Sequence, residues 1–217
     1  MPAMGDGVKE MKALLRKETR LFLKTHIMPN PQFTLDSGER VLQKFKALFE
    51  SKLLIRNVSI FISKHPEIST VPLIRYFYRL PNVAVYLPAW AGKLMWMCKI
   101  DSYSDYEQLQ WQTPGDKIPM PENSPPASED IVYDLIIMPG LVFDERCHRL
   151  GYGYGHYDYF LHHLFQKHPR QKSLLIGIGL DDQCLPSGSH IPSESHDIQL
   201  DYVLTPQKTI QNHNRDA

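Results

Sequence analysis

"RLGYGYGHYD", Arg149 to Asp158, is the stretch from which the rest of the chain can be read. Glycine stands at 151, 153 and 155, rings alternate with it, and an acid closes the run. Upstream lie a β-branched apolar stretch, "VYDLIIMP" (132–139), and a short excursion, "LVFDERCH". Downstream comes "YDYFLHHLFQKH", where Tyr157, Phe160, Leu161, Leu164 and Phe165 share one helical face. Strand, glycine loop and helix in that order let the backbone approach a ligand while free N–H groups of the helix start face it, which suits phosphate. The same spacing also serves a glycine–tyrosine turn selected for packing, and Asp158 also suits a first turn through the helix dipole alone. The run is not a P-loop, since G-K-[ST] is missing. Nor is it the dinucleotide fingerprint, because His156 stands where that motif's last glycine would fall.

Working outward, five more segments share the short, apolar, turn-bounded character of a strand: "NVSIFIS" (57–63), "NVAVYLP" (82–88), "KLMWMCKI" (93–100), "KSLLIGIGL" (172–180) and "LDYVLT" (200–205). Helical spacing predicts an amphipathic helix over 8–26, on Met11, Leu14, Leu15 and Phe22, and a second around 36–50, on Leu42, Phe45, Leu48 and Phe49. "STVPLIRYFYRL" between the first two strands opens on hydroxyl residues with Pro72 in its first turn, which completes a βαβ unit. Alternation of this kind implies an α/β fold with a mostly parallel sheet covered by helices. The polar, proline-rich 113–130 segment reads as a surface loop or as a wall of the ligand site.

The chain has 217 residues, which suits a single domain over 1–217. Lysine plus arginine and aspartate plus glutamate number 24 each, so no net field draws it to nucleic acid or an acidic membrane. Three distant cysteines, Cys98, Cys147 and Cys184, with no C-x-x-C, argue against a disulfide framework and a structural zinc, and for a reducing compartment. With no secretory signal and no long apolar run, a cytoplasmic protein is expected.

The run "DLIIMPGLVFDERCHRLGYGYGHYDYFL" resembles the signature of the 5-formyltetrahydrofolate cyclo-ligase (methenyltetrahydrofolate synthetase) family: an apolar strand ending in Pro-Gly, then Phe-Asp, then Arg-Leu-Gly-x-Gly-x-Gly-x-Tyr-Asp. "KALLR" near the start, "KIPMP" (117–121) and "IPSESHDIQLDYVLTP" near the end agree with further family segments. The resemblance implies a three-layer α/β/α sandwich and an enzyme, expected as a monomer. Its reaction would be the ATP-dependent conversion of 5-formyltetrahydrofolate, possible as a polyglutamate, to 5,10-methenyltetrahydrofolate, with Mg2+. Such chemistry needs charge neutralisation and positioning rather than an enzyme nucleophile. No nucleophile elbow or Ser/His/Asp arrangement stands out here.

By resemblance, Arg149 is the catalytic cation and, with Lys12, Arg16 and the amides of Gly151, Gly153 and Gly155, holds the ATP phosphates, while Tyr157 lines the nucleotide site. Asp158 and Asp197 would hold magnesium. Lys64, Glu67, Ser69, Tyr152, Tyr154 and His156 are the candidate folate contacts. Read without the family, Lys12 and Arg16 also fit a solvated basic stripe continued by Lys9 and Arg20. His162, His163 and His168 read as solvated, and Trp90, Trp96 and Trp111 as core or pocket wall. The departures from the family pattern fall on the folate side: Ser69 in "EIST" stands where an acid is usual, Tyr154 where lysine, glycine or alanine is, and His156 replaces tyrosine. Met120 replaces Glu or Gln, and Lys64 stands where some relatives have methionine. Alternatives are a nucleotide- or folate-binding relative without turnover, and a sugar-phosphate or coenzyme A enzyme on the same layered fold.

Overall fold

The computed structural model describes residues 4–109, 125–194 and 197–213. In chain order these form α1 (Met4–Phe22), which continues into a π-helical turn (Leu23–Ile27), α2 (Pro31–Phe49), β1 (Asn57–Ile60), α3 (Val71–Arg79), β2 (Ala84–Ala91), β3 (Leu94–Ile100) and α4 (Tyr103–Gln108). They continue with β4 (Leu135–Pro139), β5 (Val142–Phe143), β6 (Arg149–Leu150), α5 (His156–Lys167), β7 (Leu174–Ile178), β8 (Tyr202–Leu204) and β9 (Thr209–Gln211). One sheet takes the order β3-β2-β1-β4-β7-β8-β9. Its five central strands are parallel, and β3 and β9 close the edges antiparallel.

Residue alternation along the strands builds the layers. In β4, Leu135 and Ile137 join the core under α2 and α3, with Val41, Phe45, Leu73, Ile74 and Phe77. Ile136 and Met138 point the other way, to the core under α5, with Phe160, Leu161 and Leu164. Leu174 and Ile176 against Leu175 repeat the division in β7. A strand buried on both faces needs apolar residues throughout, which is why these segments read as continuous apolar runs. The result is the three-layer α/β/α sandwich.

All six expected strand segments are strands, and β1-α3-β2 is the expected parallel crossover. Three differences have physical causes. Helix α2 begins at Pro31 rather than 36, because the Asn30 side chain accepts from the Phe33 N–H and proline fits the first turn. The β5–β6 hairpin, α4 and β9 have two to six residues each, too few to carry a period. Helix α1 forms as expected, and Leu15 and Phe22 of its expected apolar face pack on the core, but Met11 and Leu14 are about half exposed whereas Lys12 is buried. Among the described residues, no helix is long and apolar enough to cross a membrane. The expectations for Trp111, Met120 and the "KIPMP" segment lie outside the described residues.

The chain order sets a switch point. From β1 the chain crosses over to β2 on one side, while β4 lies on the other side and leads on to β7 and β8. The crevice outside the carboxyl ends of β1 and β4 is where such sheets accept ligands.

Candidate active site

At that point a cleft of about 360 Å3 opens between Phe61 and Ile62, which follow β1, and Pro139, which ends β4. The glycine loop of residues 151–155 forms a second wall and α1 a third. Gly153 (φ +105°) and Gly155 (φ +72°) take the left-handed conformations that L side chains rarely adopt, so the loop can turn twice before α5.

The buried acid Asp144 supports the loop from behind. Its Oδ1 accepts the Arg146 and His148 N–H groups, both at 2.9 Å, which closes the β5–β6 hairpin beneath Arg149. Its Oδ2 lies 3.2 Å from His148 Nδ1 and accepts the Ile191 N–H at 3.0 Å, tying that hairpin to the segment that bears Glu194 and Asp197. Asp144 belongs to the "FDE" of the motif, but an acid inside a loop says nothing in sequence about which amides it will collect.

Arg149 points into the cleft with a side chain only 5% exposed, and its Nη2 donates to Asp158 Oδ1 at 2.6 Å. The guanidinium lies 5.5 Å from the centre of the Tyr157 ring. Arg149 Nε and the Tyr157 hydroxyl are both buried without a hydrogen-bond partner. Buried polar atoms are nearly always paired, so two orphans at one wall fit a ligand that completes them. Burial pushes the Tyr157 phenol up, which keeps it a neutral donor.

Lys12 and Arg16 of the basic face of α1 dock on this wall, while Lys9 and Arg20 stay exposed. Lys12 Nζ donates to Asp197 Oδ2 at 2.7 Å and to Glu194 Oε2 at 3.0 Å. Burial alone would lower the Lys12 pKa, but the two acids outweigh it and raise it. Arg16 Nε donates to the Gly151 carbonyl at 2.9 Å, and Arg20 Nη2 to the Tyr152 carbonyl at 2.6 Å. Burial, followed by the neighbouring Arg20 charge, lowers the Arg16 pKa in spite of Asp197 and Asp158.

The folate-side candidates separate into two groups and a remainder. Glu67 lines the cleft, its Oε2 accepting the Lys64 N–H at 2.8 Å. Its carboxyl also accepts from the Tyr152 hydroxyl; burial raises its pKa against the pull of both bonds. At the mouth, Tyr154 stacks on His156 (5.6 Å, 13°) and His156 on Trp90 (5.9 Å, 25°), while His156 Nε2 lies 2.9 Å from the Gly92 carbonyl. These three rings bridge the glycine loop and the β2–β3 turn. Ser69 and the Lys64 side chain are not part of the lining: the Ser69 N–H donates to Thr34 O, and its Oγ accepts the Val71 N–H at the start of α3.

The cleft thus gathers Lys12, Arg16, Glu67, Arg149, Gly151, Tyr152, Gly153, Tyr154, Gly155, His156, Tyr157, Asp158 and Asp197, from segments up to 185 residues apart. Glu194 and Trp90 join them; Glu194 had no assigned role in the sequence, although it stands three residues before Asp197. Among the described residues no cluster of three or more His, Cys, Asp or Glu side chains is poised around a metal. Two carboxylates with retained waters are nevertheless a donor set that magnesium accepts, and Asp158 and Asp197 share the lining.

An α/β sandwich with a glycine loop at its switch point belongs to the layered folds that accept ligands in that crevice. Residues 8–206 match the model of the 5-formyltetrahydrofolate cyclo-ligase family, and the chain belongs to that family. It is similar to "5-formyltetrahydrofolate cyclo-ligase" of Mus musculus, 27% identical over 78% of this chain and 85% of the relative. It is also similar to "Probable 5-formyltetrahydrofolate cyclo-ligase" of Schizosaccharomyces pombe, 41% identical over 36% of this chain; that alignment spans 40% of the relative's length. The fold agrees with the solved structure of a 5,10-methenyltetrahydrofolate synthetase from Mycoplasma pneumoniae: TM-score 0.66, 18% identity, 90% of this chain and 99% of that one.

Proposed function

We propose that the chain converts 5-formyltetrahydrofolate to 5,10-methenyltetrahydrofolate with ATP, releasing ADP and phosphate. Ring closure requires loss of the formyl oxygen, a poor leaving group near neutral pH. That oxygen attacks the γ-phosphorus and the bond to ADP breaks. N10 of the folate then attacks the formyl carbon and gives up its proton to solvent, and the oxygen departs with the phosphoryl group as phosphate. The observation that carries this reading is Arg149, nearly buried between Asp158 and Tyr157 with its Nε unpaired, at the start of the glycine loop.

In this reading Arg149, Lys12 and Arg16 neutralise phosphate charge, and the Tyr157 hydroxyl donates to the nucleotide. Asp158 and Asp197 would hold Mg2+, which when bound neutralises phosphoryl oxygens and aligns them for displacement. Glu67, fixed by Tyr152 and the Lys64 N–H, accepts the adjacent N–H donors of the pterin edge, and so fills the acid position that Ser69 leaves. Tyr154 and His156 face the folate from the mouth.

Incubation with ATP, Mg2+ and 5-formyltetrahydrofolate, followed by the ultraviolet absorbance of the methenyl product, tests the proposal. Product should appear only with both ATP and a divalent cation. Full rate with ATP omitted would overturn phosphoryl transfer, and ATP binding without product would assign the chain as a binding relative.

A further inference from the structure

Two acids that do not belong to the lining of the cleft hold two of its sides from behind. Asp144 is fully buried and serves donors on both of its oxygens. Its Oδ1 accepts the Arg146 and His148 N–H groups at 2.9 Å each, the second of them next to Arg149. Its Oδ2 accepts the Ile191 N–H at 3.0 Å, three residues before Glu194 and six before Asp197. The exposed neighbour Glu145 repeats the tie at the surface: its carboxylate accepts the Ser187 hydroxyl at 2.8 Å and the Gly188 N–H at 3.2 Å. A carboxylate can accept on both oxygens, so one short side chain serves two segments at once. Asparagine cannot. If its oxygen keeps the two hairpin amides, its NH2 group faces the Ile191 N–H, donor against donor.

We propose that Asp144 is a positioning residue for the phosphoryl transfer, which sets Arg149 and the segment that bears Glu194 and Asp197 at one fixed separation across the cleft. The inference rests on the reading that Arg149 meets phosphate and Asp197 the metal, and extends it to a residue that touches neither ligand. An acid that only closed the β5–β6 hairpin would need Oδ1 alone. Oδ2, aimed at a different segment, is what joins the two sides. Burial keeps that link out of competition with water, which strengthens it and makes its loss costly. Transfer of a phosphoryl group by positioning and charge neutralisation depends on such a link, since a misplacement of about 1 Å from a change away from the chemistry can lower the rate about a hundredfold.

Asp144→Asn cuts the link and spares the hairpin. Steady-state rates of the full chain, with titration calorimetry against a non-hydrolysable ATP analogue and Mg2+, should show kcat lower by about thirtyfold and analogue affinity lower by about three- to tenfold, with KM for 5-formyltetrahydrofolate within about twofold of the parent. Asp134→Ala controls for stability alone. Asp134 Oδ2 accepts the Arg56 and Asn57 N–H groups, both at 2.8 Å, at the amino ends of β1 and β4, the end of the sheet away from the cleft. Its loss should lower the urea midpoint and leave kcat and analogue affinity within about twofold. Where Asp144→Asn fails to fold, Glu145→Ala removes the outer tie alone and should lower kcat about threefold, the reach of an exposed charged contact. Unchanged kcat and affinity in folded Asp144→Asn, or in Glu145→Ala in its place, would overturn the assignment. So would an equal loss of kcat in Asp134→Ala. A parent that makes no methenyl product, while Asp144→Asn still weakens the analogue, would keep the positioning role and sink the catalytic reading. Product from the parent with Asp144→Asn unaltered would do the reverse.

Discussion

Arg149 and Asp158 stand at the two ends of the glycine loop, and one 2.6 Å charged hydrogen bond joins them across it. The loop between is therefore held at both ends by groups that also line the cleft, and changing either alters shape and charge together.

Asp158→Asn should lower both activity and stability. Asn keeps the shape of Asp158 and removes its charge. In the structure the substitution leaves a 5% exposed guanidinium without its charged partner. A loss of about 1–3 kcal/mol in urea unfolding is expected, tempered because the Asp158 side chain is 34% exposed. Arg149→Lys keeps the charge but gives up the planar contact with Tyr157, and should lower kcat/KM by roughly a hundredfold while costing less stability.

Glu67 and Ser69 should respond oppositely to exchange. Glu67→Gln should lower kcat/KM for 5-formyltetrahydrofolate by about tenfold, because an ionised acceptor is worth about twice a neutral one. Burial raises the Glu67 pKa, so between the ordinary carboxylate value and the raised one the folded chain binds more protons than the unfolded chain. Its contribution to stability then falls as pH rises through that window. Glu67→Gln should therefore raise Tm at pH 8, with the difference closing toward pH 4. Ser69→Glu, placed behind the cleft wall, should cost about 1 kcal/mol through the start of α3 and leave kcat/KM unchanged. A tenfold gain in kcat/KM for Ser69→Glu would show instead that the acid position is vacant.

What could be read in advance follows from how far each signal travels along the chain. The six strand segments announce themselves within ten residues as short apolar runs bounded by turn residues, and the loop before α5 by its alternating glycines. The cleft could be anticipated only as motifs: that Lys12 reaches Asp197, or Arg16 the Gly151 carbonyl, depends on packing α1 across the loop, and no local pattern encodes it. Helix α1 shows the limit most plainly. Of the apolar residues that suggest its inward face, Leu15 and Phe22 pack on the core, but Met11 and Leu14 are turned outward as Lys12 reaches Glu194 and Asp197 and Arg16 reaches the loop. Glu67 and Ser69 illustrate the same point at shorter range, since they are two residues apart yet only Glu67 enters the cleft.

The three cysteines should be inert in the folded chain. Burial pushes the Cys147 thiol up to about 12 and Cys184 to about 11, and raises Cys98 as well. At pH 8 almost no thiolate is present, so a chromogenic disulfide reagent should titrate all three thiols only after denaturation. Rapid reaction of a native thiol would contradict the packing around Cys147, which lies beside Asp144 and Asp201 and is fully buried.

Gly151 and Gly155 should separate chemistry from backbone strain. An alanine Cβ at 155 would meet nothing within 4 Å, so Gly155→Ala meets only the cost of φ +72°. About 1–2 kcal/mol of stability should be lost, read as a lower urea midpoint with an unchanged slope. Residue 151 is free of that constraint, but its Cβ would stand 3.2 Å from Arg149 Nη1, so the guanidinium must shift. Gly151→Ala should leave the midpoint within about 0.5 kcal/mol of the parent and lower kcat/KM tenfold or more, because positioning of this kind is sensitive to displacements well under 1 Å. If both variants lost only stability, Arg149 would not need its observed position for turnover. If Gly155→Ala lost activity in proportion to Gly151→Ala, the loop would act as one rigid unit rather than as separate supports for Arg149 and α5.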